Sequence, residues 1–335
     1  MLAPLTDILR GERRRTIPAY VGVSRYLGAL ALALIGLQIA TGILLMIYYR
    51  PSMAAAHYST GVIIDEVHLG WLIRALHRRG SDLLIVLIGL HLIRVYVSRA
   101  YTNPRQLIWA AGLLLLLVVV AFDLSGVLLP WDQHAYWSTD VLRQTFAGIP
   151  VIGHVLVTLL WGGAEFGEGA LLRFYAFHIA VLPWVLLLFL SLHLLMLWRV
   201  GLKEPEGGGS AARTAPIPFF PDFLIDVFIA FLLLLGVLLS LAVIFPSTLG
   251  EQADPLTTFF RAQPRWYLMP ADQLLRHVPG ALAALVGVAI FAAMFFLPVI
   301  DRHPQAAAGR KALRLVLAVL VIGAWILLGV QGFLS

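Results

Sequence analysis

Long runs of uncharged apolar residues constrain this chain more than any other feature. Seven runs approach the roughly 20 residues that a helix needs to cross a bilayer. Of all residues, 60% are hydrophobic and only 13% are charged. Helices are expected rather than a β-barrel, because the runs lack apolar–polar alternation. The predicted spans are residues 27–48, 80–98, 107–127, 178–198, 223–245, 280–300 and 312–333.

The spans fall into a group of four and a group of three. The segment between them, VGLKEPEGGGSAARTAPIPFFP, is rich in glycine, proline and charge, which is typical of a linker. The predicted organisation is therefore a four-helix domain at 1–199, a linker at 200–221 and a three-helix domain at 222–335. With the N-terminus on the inner side of the membrane, the long segments 128–177 and 246–279 fall on the outer face, where we expect functional loops.

Charge predicts the orientation and excludes some functions. The first residues, LTDILRGERRRTIPAY, lack the cleavage site of a signal peptide, and most Lys and Arg residues fall on the same side as this segment. We expect a multi-pass protein of a bacterial inner membrane with its N-terminus in the cytoplasm. The net charge of +6 then requires no nucleic-acid partner. The absence of cysteine excludes disulfides, thiolate-bound iron–sulfur clusters and covalently attached haem.

Histidines occur in pairs on two of the spans. His77 and His91 are 14 residues apart, and His178 and His193 are 15 apart. At about 100° per residue, each pair stays on one helix face with an axial separation of about 21–22 Å. The two spans run in the same direction, so each histidine comes level with one on the other helix. Facing imidazoles are axial ligands of haem iron, and this pattern favours two b-type haems over isolated buried histidines.

Glycines and arginines occur in patterns that accompany the paired histidines. Glycines spaced by 14 residues on the first and third spans leave room for a flat macrocycle, although glycine also serves close helix packing. These are Gly28, Gly42, Gly112 and Gly126. Arginines near the histidines can pair with haem propionates or extend to the membrane interface. These are Arg74, Arg78, Arg79 and Arg94.

These motifs resemble, in order, those of cytochrome b of the Rieske/cytochrome b complexes. GWLIRALHR, GLHLIRVY, GVLLPWDQHAYW, IPVIG, LLRFYAFHIAVLPW and LHLLMLWR resemble the dihaem subunit of the chloroplast-type form. GEQADPLTTFFRAQPRWYLMPADQLLRHVPG resembles the loop of its three-helix partner subunit, here fused in one chain. The resemblance covers nearly the whole sequence. It implies an all-α integral membrane protein, with a four-helix dihaem bundle followed by a three-helix part and the four histidines as haem ligands.

The resemblance also implies an activity in a respiratory electron-transport chain. Members of this family oxidise quinol in an outer pocket, pass one electron to a Rieske iron–sulfur protein and then to a c-type cytochrome, and send the other through two haems to an inner quinone pocket. A chain without cysteine cannot hold those other centres. We therefore expect the membrane core of a larger, homodimeric quinol oxidoreductase embedded in lipid.

Two positions depart from the family pattern. Tyr26 stands where the chloroplast-type form has a cysteine that carries an extra haem. In QPRWYLMP, Arg265 stands where the family has the glutamate of a Pro-Glu-Trp-Tyr motif, which also includes Tyr267. That carboxylate is thought to accept a proton or hydrogen bond from quinol. Arginine carries only donors and stays protonated, so Arg265 cannot accept the proton.

Three interpretations of Arg265 stay open. Another group takes the proton: His134, whose ordinary pKa suits the role but which also fits a plain interfacial histidine, or a carboxylate. The carboxylates in the outer loops are Asp132, Glu251, Asp254 and Asp272. Alternatively, Arg265 pairs with a relocated acid such as Glu165 or Glu168. Thirdly, the outer pocket is silent, and the chain is a non-bifurcating, quinone-linked dihaem anchor of another oxidoreductase.

The inner quinone pocket is predicted from the residues near the inner histidines. They are Arg25, His193, Trp198, Arg199, Asp222 and Asp226. Asp222 and Asp226 are four residues apart and so share a helix face. They either supply protons to a reduced quinone or favour the positive end of the helix dipole.

Overall fold

The computed structural model describes residues 16–17, 24, 26–163, 167–201, 217–257, 263–278, 280–301 and 308–334. Within them the regular secondary structure is helical, apart from two short antiparallel strands, β1 (Thr16–Ile17) and β2 (Ile217–Pro218), and an isolated bridge between Asp132 and Gln252. The helices are α1 (Leu27–Tyr48), α2 (Ala56–Asp65), α3 (Gly70–Val97), α4 (Gln106–Val127), α5 (Gln133–Ala147), α6 (Gly153–Trp161), α7 (Glu168–Val200), α8 (Leu224–Ile244), α9 (Met269–His277), α10 (Gly280–Phe295), α11 (Leu297–Ile300) and α12 (Ala308–Leu334).

Six helical segments in the described part of the chain are long and apolar enough to cross a membrane, which confirms the predicted all-α membrane fold. They are α1, α3, α4, α7, α8 and α12. The predicted span 280–300 is different. There α10 has 16 residues and ends at Phe295, and the four-residue helix α11 follows with Pro298 in its first turn. The apolar run was long enough, but a proline cannot continue the hydrogen-bonded ladder of the preceding helix.

Local signals set the ends of the short outer helices. Asp132 precedes α5, and its Oδ1 accepts a hydrogen bond from Ala135 N at 2.8 Å, as N-cap aspartates do. Gly162 ends α6 with a φ of 88°, a conformation that glycine adopts without strain. Pro270 lies in the first turn of α9, where its missing N–H has no helical partner to lose.

The C-terminal helices cover the outside of an N-terminal four-helix bundle. In that bundle α1 packs along α3, and α4 packs along α7. α8 and α12 pack on α3, α10 packs on α4, and α9 packs on α12. The largest core cluster includes buried Leu34, Leu84, Val119 and Leu238. Helices from both parts of the chain therefore share one core.

Apolar side chains also cover the outward faces of the spanning helices. Leu107, Leu233 and Val321 are 70%, 69% and 67% exposed, respectively. A helix that is apolar on every face is typical of a membrane span, so these side chains are suited to contact lipid.

The loop after α8 docks on the start of α5. Gln133 N donates to Glu251 O at 2.9 Å, and Ala253 N donates to Trp131 O at 3.0 Å. Asp132 Oδ2 accepts a further bond from Gly250 N at 3.2 Å. The two parts are therefore joined at the outer face by backbone pairing. The predicted linker at 200–221 falls largely on residues 202–216, which lie outside the described residues.

Candidate haem and quinol sites

The helices that carry the paired histidines meet through those side chains. In the described part of the chain, α3 and α7 make no extended contact with each other. The rings of His77 and His178 nevertheless face each other, with centroids 6.2 Å apart and planes at 66°. Metal–imidazole bonds are roughly 2 Å long, so two imidazoles on one metal atom have centroids roughly 6 Å apart. The outer pair therefore fits a single iron between the two rings.

Hydroxyl groups fix the outer histidines in the tautomer that binds metal. Thr41 Oγ1 donates to Leu37 O at 2.7 Å, so it accepts from His77 Nδ1 at 2.9 Å. His178 Nδ1 contacts Ser125 Oγ at 3.0 Å and Phe122 O at 3.1 Å. A carbonyl only accepts, so this Nδ1 carries the proton. Both Nε2 atoms then keep their lone pairs for a metal.

The inner histidines have fewer hydrogen-bond partners than the outer ones among the described residues. His193 Nδ1 donates to Ile108 O at 3.0 Å, which again leaves Nε2 free to bind a metal. His91 Nδ1 is buried and has no hydrogen-bond partner among the described residues. The four predicted ligands therefore all lie in the bundle. Among the described residues, both Nδ1 atoms of the outer pair have hydrogen-bond partners, whereas only one Nδ1 of the inner pair does.

A π-helical turn explains the unequal histidine spacing. His178 lies in the π-helical turn Phe177–Val181, which interrupts α7. Such a turn accommodates one extra residue inside an α-helix. The 15-residue step from His178 to His193 is therefore structurally comparable to the 14-residue step from His77 to His91.

The four glycines border the four imidazoles. A Cβ added at Gly28, Gly42 or Gly112 would lie 3.2–3.3 Å from Cε1 of His91, His77 or His193, respectively. At Gly126 the distance to Cε1 of His178 would be 2.9 Å, which real Cβ atoms do not show. Each glycine thus lets an imidazole lie directly against the neighbouring helix, whereas the predicted role of the glycines in making room for a macrocycle stays a prediction.

The arginines near the outer pair divide into two groups. Arg74 Nη1 donates to Ser247 O, and Arg79 donates to Phe245 O from Nη2 at 3.0 Å and from Nε at 3.2 Å. Arg78 makes no hydrogen bond or ion pair with the described residues, and it follows His77 directly. Arg78 is therefore the arginine best placed to pair with a propionate. Arg94 lies in the last turn of α3, one turn beyond His91.

Arg265 is clamped between two carboxylates from the spanning helices. Its Nε and Nη2 donate to Oδ2 and Oδ1 of Asp123 at 2.7 and 2.9 Å. Nη2 also donates to Asp82 Oδ1 at 2.5 Å. Arg265 therefore does pair with carboxylates, but with Asp82 of α3 and Asp123 of α4. Glu168 begins α7 elsewhere, and Glu165 lies outside the described residues.

Neighbouring donors complete this cluster. Asp123 also accepts from Tyr267 OH at 2.8 Å and Ser81 Oγ at 2.5 Å. Asp82 Oδ1 also accepts from Trp266 Nε1 at 2.8 Å. All three residues of the Arg-Trp-Tyr motif thus hold carboxylates. Both oxygens of Asp123 are therefore occupied by donors from the loop and from α3.

Burial and nearby carboxylates together set the pKa values of the Arg-Trp-Tyr motif. Burial lowers the pKa of Arg265, but the carboxylates Asp123 and Asp82 outweigh it and raise that pKa above its ordinary value. Burial, and then the charge of Asp123, raise the pKa of the Tyr267 hydroxyl. Arg265 and Tyr267 consequently remain protonated at physiological pH, and neither can serve as a base.

A cavity of ≈ 100 Å³ opens beside Arg265, between α4, α5 and the segment that leads into α9. Its wall is mostly apolar and includes Leu124, Val127 and Leu268, and Asp272 also lines it. This volume is well above the roughly 10–15 Å³ that one water needs.

The other predicted outer groups include Asp132 and His134, neither of which is among the residues that line the cavity. Asp132 caps α5 and holds Gly250, so both of its oxygens are used. Burial lowers the pKa of His134, and the cations Arg78 and Arg265 lower it further, against the opposing effect of Asp132.

At the inner face, Tyr26 is bonded to one of the predicted acids. Its hydroxyl donates to Asp226 Oδ2 at 2.6 Å, and its ring stacks on Phe223 with centroids 5.6 Å apart. Among the predicted inner residues, Arg25 lies outside the described part. Sequence reasoning identified Tyr26 only as a missing cysteine and did not foresee this contact.

Comparisons with known proteins agree on one family. A family model described as "Cytochrome b/b6/petB" matches residues 14–201, and one described as "Cytochrome b(C-terminal)/b6/petD" matches residues 252–335. Cytochrome b6 of Synechococcus sp. (strain JA-3-3Ab) is 37% identical over 204 residues, which cover 61% of this chain and 94% of that protein.

Further similar proteins extend the match to the whole fold. Cytochrome b6 of Prochlorococcus marinus (strain AS9601) is 36% identical over 201 residues, which cover 60% of this chain and 92% of that protein. A solved structure titled "Hyperthermophilic respiratory Complex III" superposes with a TM-score of 0.88 at 26% identity. The superposition covers 98% of this chain and 89% of that one.

Proposed function

The chain belongs to the cytochrome b/b6 family, and we propose that His77 with His178 and His91 with His193 hold two b-type haems, one near each membrane face. It is the dihaem cytochrome b subunit of a quinol-oxidising electron-transfer complex. The observation that carries the proposal is the 6.2 Å separation of the His77 and His178 rings, with both Nδ1 atoms engaged elsewhere.

The protein's own residues prepare these sites. A bound haem supplies reversible one-electron transfer. Thr41 and Ser125 bond Nδ1 of the outer imidazoles, so that Nε2 keeps its lone pair for a metal. The glycines of α1 and α4 let the imidazoles lie directly against those helices. Arg78 supplies a cation for a propionate at the outer end, and Arg94 does so at the inner end.

The outer pocket handles protons differently from the family pattern. We propose that quinol is oxidised in the cavity beside Arg265, and that Arg265 is a fixed cation there. Its two carboxylate partners keep it in place, so it does not replace the glutamate as a proton acceptor. The presence of an apolar cavity next to the clamp supports an active pocket over a silent one.

From family membership we also propose the partners of the complex and its orientation in the membrane. The partners are a Rieske iron–sulfur protein and a c-type cytochrome, and the complex is a homodimer in a bacterial inner membrane with the N-terminus in the cytoplasm. The chain divides into a dihaem domain, the linker at 200–221 and a three-helix domain. At the inner face, Asp226 and its partner Tyr26 line a quinone-reducing pocket.

Haem counting tests the ligand assignment. In the purified complex, the pyridine haemochrome assay should give two b haems per chain. His178→Leu and His193→Leu should each lose one haem, and the two variants should lose different bands of the reduced-minus-oxidised spectrum. His154→Gln is the matched control, because His154 is exposed on α6. Two haems retained in either ligand variant would contradict the proposal.

Identification of the bound partner proteins tests the proposed assembly of the complex. Affinity purification under mild detergent should recover a Rieske protein with the chain. Recovery of a dehydrogenase or multihaem cytochrome in its place would favour the non-bifurcating anchor.

A further inference from the structure

The cavity beside Arg265 has one carboxylate in its described wall. The two charged residues that line it are Arg265 and Asp272. Asp123 and Asp82, the acids nearest to Arg265, are both occupied by its guanidinium. A substrate in the cavity therefore meets a fixed cation on one side and Asp272 as the nearest group able to take a proton.

The hydroxyls of the cavity wall cannot serve as that base. Ser138 Oγ donates to His134 O at 2.6 Å, Thr139 Oγ1 to Ala135 O at 2.7 Å, and Thr145 Oγ1 to Val141 O at 2.9 Å. Their protons are thus committed to the backbone of α5. A neutral aliphatic hydroxyl is in any case a weak base compared with a carboxylate.

Asp272 is held so that one oxygen stays available. Its Oδ2 accepts from Arg276 Nε at 3.1 Å and forms an ion pair with Nη2 at 3.0 Å. Oδ1 makes no hydrogen bond with the described residues. The Asp272 side chain is 21% exposed and that of Arg276 is 48% exposed. The carboxylate therefore touches both the cavity and the outer solvent.

Arg265 offers the complementary group. Its Nε and Nη2 are used by Asp123 and Asp82, whereas Nη1 makes no hydrogen bond with the described residues. Because Arg265 lines the cavity, Nη1 is the donor that remains for a hydrogen bond to an anion formed there, since Nε and Nη2 are paired with carboxylates. A preorganised cation aimed at developing negative charge lowers the barrier to forming it.

We infer that Asp272 is the base that accepts a proton from quinol in the outer cavity, and that Arg265 stabilises the quinolate oxygen left behind. The O–H bond of the quinol breaks, its electron pair stays on oxygen, and the proton moves to the Asp272 carboxylate. The proton then leaves to the outer solvent past Arg276, and the electrons leave through the electron-transfer activity of the complex. The inference rests on the proposed function of the outer pocket.

The test uses the whole purified complex and decylquinol as the probe. The rate of electron transfer from decylquinol to the outer one-electron acceptor is measured between pH 5.5 and 9. Asp272→Asn should lower kcat by roughly 10²-fold with KM changed by less than about 3-fold, as expected for loss of a general base. Asp272→Glu should restore most of the rate. Asp254→Asn is the matched control, since that exposed acid closes its own turn with Thr257 and Leu256.

A second readout separates proton transfer from structure. In Asp272→Asn the rate should keep rising with pH, because solvent base replaces the carboxylate, whereas the wild-type rate reaches a plateau. Haem content and spectra should equal those of wild type. If Asp272→Asn and Asp254→Asn complexes oxidise decylquinol at the same rate at every pH, the role of Asp272 is overturned, but the outer-pocket proposal is not. A wild-type complex that holds both haems but does not oxidise decylquinol would overturn the outer-pocket proposal and this inference with it.

Discussion

The outer and inner ends of the haem bundle are built differently. At the outer end, Thr41 and Ser125 hold both imidazoles, and the Arg265 clamp lies on the same helices. At the inner end, His193 bonds a carbonyl and His91 Nδ1 has no partner among the described residues. The outer imidazoles are therefore oriented by side chains, and we expect the inner imidazoles to be ordered more by the proposed haem.

The largest expected effect comes from breaking the outer clamp. Asp123→Asn leaves Arg265 buried with one carboxylate, and removal of one partner from a buried ion pair costs about 3–5 kcal/mol. The midpoint of SDS-induced loss of haem absorbance should fall accordingly. Asp65→Asn, an exposed acid at the end of α2, should leave the midpoint unchanged. Equal midpoints for Asp123→Asn and Asp65→Asn would show that the clamp contributes nothing.

The second-largest effect is expected on the order in which the two haems are released. In wild type, the outer haem should be the slower to transfer to excess apomyoglobin. Replacing Thr41 by valine and Ser125 by alanine removes one hydrogen bond from each outer imidazole, and loss of such second-sphere bonds typically weakens metal binding by roughly 10–100-fold. The outer haem should then be released first. The control is Ser240→Ala, which removes an exposed hydroxyl on α8 that bonds only Gly236 O.

A smaller effect is expected at the inner end. Tyr26→Phe removes the hydrogen bond to Asp226 but keeps the stacking on Phe223. The loss should be about 1 kcal/mol in the same SDS titration. The outer haem spectrum should not change, because no described contact links Tyr26 to His77 or His178. A shift of the outer haem band would mean that the two ends are not independent.

The smallest effect concerns pH. His134 has a pKa below its ordinary value because of burial and nearby cations. The folded state then binds fewer protons than the unfolded state as pH falls below about 6.5, so wild type loses stability in that range. His134→Gln should remove roughly a few tenths of a kcal/mol of this loss and behave like wild type above pH 7.5. Parallel thermal-melting curves for both proteins from pH 5 to 8 would contradict the assignment.

The histidines could be predicted from the sequence, whereas their hydroxyl partners could not. Spacing alone places four histidines on two helix faces, because helix geometry is regular. Thr41 and Ser125 look like ordinary helix hydroxyls until α1 and α4 pack beside α3 and α7. One signal was present in the sequence: each directly precedes a glycine at the level of an outer histidine.

The partners of Arg265 were missed for a related reason. Glu165 and Glu168 were chosen because they lie near the outer face, but Asp82 and Asp123 are 183 and 142 residues from Arg265. Charged residues within spans are costly unless paired, so two acids in predicted spans required a cation. Matching them to the unassigned arginine would have predicted the clamp.

One turn of α4, residues 122–126, contacts both the outer histidine and the arginine loop. Phe122 and Ser125 hold His178, Gly126 makes room for it, and Asp123 binds Arg265. We therefore expect occupancy of the proposed quinol cavity and the midpoint potential of the proposed outer haem to be linked through this turn. By thermodynamic reciprocity, the free energy by which bound quinol shifts that potential equals the free energy by which the oxidation state of the haem changes the affinity for quinol.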